Sequence, residues 1–202
     1  QRTAGGRRGG LLRDWHPADL AGKVLDALVD KTGVDPALIE DVIMGCVGQG
    51  GQQSTNVARN AVLSSKLPES VPGTSVDRQC GSSQQAIHFA AATVMSGQMD
   101  VVIAAGVESM TRVPMGSSIA EGKHGFPFGQ TVQARYAADG GLVNQGISAE
   151  LIAEKWKISR EDMDRFGVRS QNYAARATNE GRFQNEIIPT LDAEGKVMTT
   201  DE

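Results

Sequence analysis

Two cysteines carry the chemistry this sequence can most directly perform. Cys80 stands in VDRQCGSSQQA, residues 76–86, after a short strand-like stretch and before a small-residue helical one. A thiol at such a junction sits at the positive end of a helix dipole. First-turn amides there stabilise a thiolate or cradle an oxyanion. An unperturbed thiol, with a pKa of about 8.5, is only a few per cent ionised at neutral pH. Each unit of depression favours the reactive form by roughly 1.4 kcal/mol. Gly81 allows backbone to approach an acyl group closely. Spacing leaves two readings open, a nucleophile and a cysteine buried at a helix start. Cys46, between Gly45 and Val47 in the apolar run DVIMGCV, reads as a small buried hydrophobe.

A base for Cys80 does not emerge from spacing. His88 lies about 12 Å further along the same helix at 1.5 Å per residue, beyond hydrogen-bond reach. His16 precedes Pro17 at a helix entrance and reads as a cap, while His124 falls in a long glycine-rich stretch. No pair of Cys or His has zinc spacing. GQGGQQ, from Gly48, lacks both the G-x-G-x-x-G pattern and the G-K-[ST] ending, so it reads as a strand-to-helix loop rather than a phosphate cradle. Glu108, in Glu108-Ser109-Met110, ends an apolar run. Strand carboxyl ends face the ligand in open α/β sheets, so its carboxylate is either hydrogen-bonded to loop amides or catalytic.

The elements that position these residues follow from hydrophobic period and punctuation. Residues 17–32 read as a helix, with Pro17 at the first position, Gly33 at the exit and Leu20, Val24 and Leu28 at four-residue spacing. A turn begins at Asp35-Pro36, and residues 41–47 have strand length. Residues 55–66 read helical, 74–76 as a short strand and 81–97 as a helix stopping at Gly97. DVVIAAGV, residues 100–107, is apolar throughout, as for a strand buried on both faces. Strands separated by helices imply parallel crossovers and a layered α/β domain. Residues 111–147 carry seven glycines and two prolines with no sustained period. With Lys123, His124 and Arg135, that stretch is either a basic contact surface or a solvated excursion. Two helices follow. Ser148 is placed to cap the first, and Ser159 with Asp162 resembles a capping box for the second. Met163, Phe166 and Ala174 give the second helix an apolar face, and Gly181 ends it.

Composition narrows the function classes. The 202 residues carry 20 Lys+Arg and 24 Asp+Glu, a formal charge of −4, which argues against a general nucleic-acid binder. Two cysteines in a chain this long are not a disulfide framework. No apolar run reaches the roughly 18 residues of a membrane span. A cytoplasmic, reducing setting is expected. Both ends read as cut rather than natural, with no initiator Met and no tail composition.

Four ordered segments together resemble the thiolases, the acyl-CoA acyltransferases. VDRQCGSSQQA is similar to their nucleophile segment and GVESMTRVP (106–114) to their Gly-x-Glu-Ser-Met segment. Residues 159–189, with the Gly-Arg-Phe-x-x-Glu-Ile pattern, resemble the helical part of their loop domain. RTAGGRRGG resembles the Arg-Thr-Pro-x-Gly opening, with Ala4 in place of Pro. The resemblance implies an α/β fold of two halves stacked as αβαβα layers. This chain would be the first half, lacking most of its first strand, with an inserted, mostly helical loop domain. The implied division is an α/β half over 1–112 and an incomplete loop domain over 113–202.

By position, the resemblance makes Cys80 the acyl-accepting nucleophile. It places Gln171 at a CoA contact and Asn144 at the acyl pocket, as substrate-binding residues. It implies acyl-CoA and CoA as substrates, no further cofactor, no nucleic-acid or membrane partner, and a homodimer or homotetramer of the full-length protein. The family's activating histidine and second cysteine belong to the other half, which accounts for the missing base. Two residues depart from the pattern. Ser83 stands where Gly is usual, which would crowd or re-bond the start of the nucleophile helix. Asn144-Gln145 replaces the His-Met of many short-chain members, which leaves longer or bulkier acyl groups open. Alternatives are a ketoacyl-synthase-type condensing enzyme, a thiolase-like acyl-CoA or lipid-binding protein without turnover, and a structural α/β domain in an oligomer. The Glu-Ser-Met turn favours the thiolase over the condensing enzyme.

Overall fold

A computed structural model describes residues 1–202. The chain forms two compact units, Gln1–Glu121 with Gln184–Glu202, and Gly122–Phe183. These contact-defined bounds differ from a division at 112/113, because the last residues return to the first unit. Arg2 explains the return. Its amide donates to Glu186 O (2.8 Å) and its carbonyl accepts from Ile188 N (2.8 Å). Its guanidinium pairs with Glu186 (3.0 Å) and Asp201 (2.6 Å).

In the first unit, α1 (Pro17–Thr32) begins and ends where the sequence punctuates it. His16 Nδ1 accepts from Ala18 N at 3.3 Å, Pro17 opens the helix, and Gly33 closes it at φ +66° with its amide on Val29 O. The buried face is Ala18, Ala21, Leu25 and Val29. Leu20, Val24 and Leu28 are only partly covered. They line a cavity of about 340 Å³ beside Ile103 and Ala105. The four-residue spacing thus found the neighbouring stripe rather than the one at the centre of the core. A 3₁₀ turn at Pro36–Leu38, capped by Asp35, leads to β1 (Asp41–Gly45). Next come α2 (Val57–Leu63), β2 (Gly73–Val76), α3 (Ser82–Met95) and β3 (Val102–Gly106).

The three strands form a parallel sheet in the order β2-β1-β3, with Gly45 opposite Val76 on one side and Gly106 on the other. Leu25, Val29, Val42, Met44, Val57 and Val62 cluster on the face covered by α1 and α2. Ile43, Val76, Ala86 and Ala90 cluster under α3. This α/β/α sandwich has the mixed, parallel character expected. The strand buried on both faces is β1, whose last four residues are all buried. In β3 only Ile103 is, contrary to the reading of residues 100–107. Both are short apolar runs, and their places in the strand order make one central and the other an edge. A hairpin, β4 (Thr190–Leu191) with β5 (Val197–Met198), completes the unit.

The second unit contains α4 (Gln130–Arg135), α5 (Gln145–Trp156) and α6 (Arg160–Asn179). A six-residue helix therefore lies inside the stretch read as aperiodic. Asn144, not Ser148, caps α5. Its Oδ1 accepts from Ile147 N at 3.0 Å, and Ser148 Oγ donates to Asn144 O from inside the helix. Ser159 caps α6 through Asp162 N (3.1 Å), and its hydroxyl donates to Asp162 Oδ2 (2.8 Å). Met163 and Phe166 stand exposed. The apolar face read on this helix has no cover within its own unit.

Candidate active site

Cys80 is exposed and lies in the turn joining β2 to α3, at the carboxyl end of the sheet. The turn is held by its own side chains. Asp77 Oδ1 accepts from Gln79 N (2.8 Å). Ser82 Oγ accepts from Arg78 N (2.9 Å) and donates to Gln79 O (2.6 Å). Gln79, next to the thiol, adopts φ +47°, the left-handed region a non-glycine residue rarely occupies. Gly81 precedes α3 and provides no side-chain cap. The first amide of this 14-residue helix, Ser82 N, donates to Gln79 O (3.0 Å), and no capping side chain covers its positive end.

The height of this turn over the sheet is set by two glycines. A Cβ on Gly45 would lie 2.7 Å from Ser83 Cα and 2.5 Å from the Ser82 carbonyl carbon. A Cβ on Gly106 would lie 3.0 Å from Ser83 Cβ and collide with its hydroxyl. Ser83, the departure from the expected Gly, is therefore accommodated on the bare backbone of Gly106, and α3 rests directly on the ends of β1 and β3.

Glu108 takes the hydrogen-bonded role. Its carboxylate accepts from Val47 N (2.8 Å), Gly48 N (3.2 Å) and Gln53 Nε2 (2.9 Å). Fully buried Gln53 donates also to Gly48 O (2.8 Å) and accepts from Ser109 N (2.6 Å). In GQGGQQ the Gly48 amide is thus taken by Glu108 and the Gln49, Gly50 and Gln53 amides bond within the loop, which includes a 3₁₀ turn at Gly51–Gln53 before α2. Sequence reasoning missed Gln53, whose one signal was a polar side chain in a small-residue loop between two apolar elements.

Cys46 is buried as expected. Burial pushes its thiol up to about 12, with Glu108 and Asp77 adding to the effect, which disfavours the thiolate. His16 is committed to α1, and His88 stands exposed on α3. His124 belongs to the second unit, as do Asn144 and Gln171. Gln171 is exposed on α6, and Asn144 is exposed with its Oδ1 engaged as the α5 cap. No group of three or more His, Cys, Asp or Glu is arranged to hold a metal, and no helix is long and apolar enough to cross a membrane.

The exposed Cys80 thiol thus stands just before a helix laid on the ends of a parallel sheet. The chain belongs to the thiolase family: residues 1–202 match the family described as Thiolase, N-terminal domain. It is 45% identical over its whole length to the "Steroid 3-ketoacyl-CoA thiolase FadA6" of Mycobacterium tuberculosis, covering 50% of that protein. It is 40% identical over 99% of its length to the 3-ketoacyl-CoA thiolase of Pectobacterium carotovorum, covering 50% of it. It is also 40% identical over 99% of its length to the 3-oxoadipyl-CoA/3-oxo-5,6-dehydrosuberyl-CoA thiolase of Escherichia coli, covering 52% of it. The chain spans about half the length of the curated relatives it matches.

Proposed function

We propose that the protein containing this chain is an acyl-CoA acyltransferase of the thiolase type, with Cys80 as the acyl acceptor. In the degradative direction the Cys80 thiolate attacks the 3-oxo carbon of a 3-oxoacyl-CoA. The bond between carbons 2 and 3 breaks, and its electron pair takes a proton to release acetyl-CoA. The shortened acyl group remains as a thioester on Cys80. The thiolate of a second CoA then attacks that thioester and restores the Cys80 thiolate. Condensation runs these steps in reverse. The observation that carries this reading is the exposed Cys80 on the β2–α3 turn of a chain matching the thiolase N-terminal domain throughout.

The substrate class follows from two supports. The chain's similarity to the steroid thiolase and the Asn144-Gln145 pair both favour a 3-oxoacyl-CoA with a bulky acyl group. Gln171 would contact CoA and Asn144 the acyl group through its amide nitrogen. CoA is substrate, and no further cofactor enters the reaction. The full-length protein would be a cytoplasmic homodimer or homotetramer without nucleic-acid or membrane partners. Ile87, Phe89 and Met95 stand exposed on α3.

Incubating the 202-residue chain with acetyl-CoA and mapping adducts by mass spectrometry tests the reading. A Cys80 thioester, absent from the Cys80→Ser variant, is expected. Steady thiolysis by this chain alone is expected to be weak or absent. General acid–base help contributes about 10²–10⁴-fold, and of the histidines in the first unit His16 caps α1 and His88 lies eight residues along α3 from Cys80. A second reading, an acyl-CoA-binding protein without turnover, draws on that same missing base. CoA binding with no adduct would favour it.

A further inference from the structure

We propose that Ser82 is a positioning residue for the acyl transfer, acting as the lock that holds Gln79 in its left-handed conformation and so aims Cys80. The inference rests on Cys80 being the acyl acceptor. Three observations converge on the same hydroxyl. Ser82 is 5% exposed, so its side chain has little water to satisfy it. Its oxygen serves both sides of the strained residue, accepting from Arg78 N and donating to Gln79 O. The Gln79 backbone between those contacts lies at φ +47°.

A non-glycine residue persists in that region only where its surroundings over-determine it. Here the Ser82 hydroxyl (2.6 Å) and the Ser82 amide (3.0 Å) both donate to the Gln79 carbonyl, the hydroxyl alone tying it to the Arg78 amide, and Asp77 accepts from the Gln79 amide (2.8 Å). The peptide before Gln79 is therefore held through the Gln79 amide, and the peptide between Gln79 and Cys80 through its carbonyl. Its orientation decides where the Cys80 thiol stands relative to the first turn of α3. Reacting groups held about 1 Å from their productive place lose up to roughly 100-fold in rate. The lock is thus worth more to an oriented acyl transfer than to any reaction of the free thiol with a small electrophile.

The test compares Ser82→Ala, Ser82→Thr and the double variant Ser82→Ala with Gln79→Gly, all in the 202-residue chain. Acylation of Cys80 by acetyl-CoA is expected to slow by roughly 10- to 100-fold in Ser82→Ala. Alkylation by iodoacetamide, which needs no orientation, is expected to change by less than about threefold on the same argument. Ser82→Thr keeps the hydroxyl and is expected to stay near the parent rate. Gln79→Gly is expected to restore acylation to Ser82→Ala, because glycine holds a positive φ without the clamp. Melting temperature and the resistance of Cys46 to alkylation report whether each variant is folded. Parent-like acylation in Ser82→Ala overturns the proposal, as does failure of Gln79→Gly to restore it in a folded double variant. If Ser82→Ala alone does not fold, the double variant decides by the same criterion.

Should the parent chain take no acyl group, the acyltransferase reading fails by itself. The lock is then read from hydrogen exchange at the Arg78 amide. Loss of the Ser82 hydroxyl is expected to speed that exchange at least about tenfold, as for a freed donor. Unchanged exchange overturns the lock.

Discussion

The two compact units solve the problem of holding helices in different ways. Every buried apolar side chain belongs to Gln1–Glu121 or Gln184–Glu202, and none lies between Gly122 and Phe183. In the first unit α1, α2 and α3 are fixed by burial against a parallel sheet. In the second, Trp156, Phe166 and Val168 are each more than 60% exposed. Its helices are held by local devices. Asn144 and Ser159 cap them, Arg160 pairs with Asp164 (2.8 Å), Arg165 pairs with Asp162, and Arg169 stacks on Phe166. Such pairs stabilise a helix by about 0.2–0.5 kcal/mol each. Burial of one Leu side chain is worth several times that. The catalytic candidate sits in the unit built by packing, where a thiol can be held to a fixed place. The residues suggested for CoA and acyl contact sit in the unit built by local order.

The contrast can be broken most directly by matched truncations. Leu25→Ala, at a site 1% exposed, is expected to lower stability by about 2–5 kcal/mol. Leu151→Ala, at a site 53% exposed, is expected to stay within about 0.5 kcal/mol. Urea unfolding of the two variants measures both, and equal losses would end the distinction.

Glycine replacement sharpens it with a change of sign. Gly45→Ala forces its new carbon onto the Ser82–Ser83 backbone and is expected to cost roughly 1–3 kcal/mol. Gly167→Ala, inside α6 with no atom within 4 Å of the new carbon, is expected to gain about 0.5–1 kcal/mol. Thermal melts and the helical circular dichroism signal report the two directions.

The smallest effect belongs to the ion pairs that return the chain to the first unit. Arg2 holds the Asp201 carboxyl below its usual range, with the Gly5 amide assisting. A depressed carboxylate stabilises the fold above its unfolded pKa of about 3.9, and that contribution disappears as pH falls through the folded value. Both partners are more than one-third exposed, which limits the gain to below about 1 kcal/mol. Asp201→Asn is therefore expected to be slightly less stable than the parent at pH 7, and the gap should close below about pH 4. A constant difference in urea midpoints from pH 7 to pH 3 would remove Asp201 from the account.

Local signals are legible in the order of residues. The His16-Pro17 entrance and Gly33 exit of α1, the cap at Ser159, and the strand-to-helix junction at Cys80 all depend on neighbours within a few residues. Competition between near-equivalent signals is not legible. Asn144 and Ser148 are both capping residue types, and only the path of the chain into α5 chose Asn144. Residues 41–45 and 102–106 are both short apolar strands, and no property of either run says which pairs on two sides. Gln53 and Glu108 meet 55 residues apart, through a carboxylate whose partners are backbone amides of another loop.

The sequence by itself determined where helices start and stop, which cysteine stands at a junction, and which family the ordered motifs resemble. Those properties are written in short-range sterics and hydrogen bonding. Tertiary structure alone decided that β1 is central and that Gly45 and Gly106 let α3 rest on the strand ends. It also decided that Glu108 is held by Gln53 and by the Val47 and Gly48 amides. Each of these depends on burial and close approach between distant segments, which no local pattern encodes.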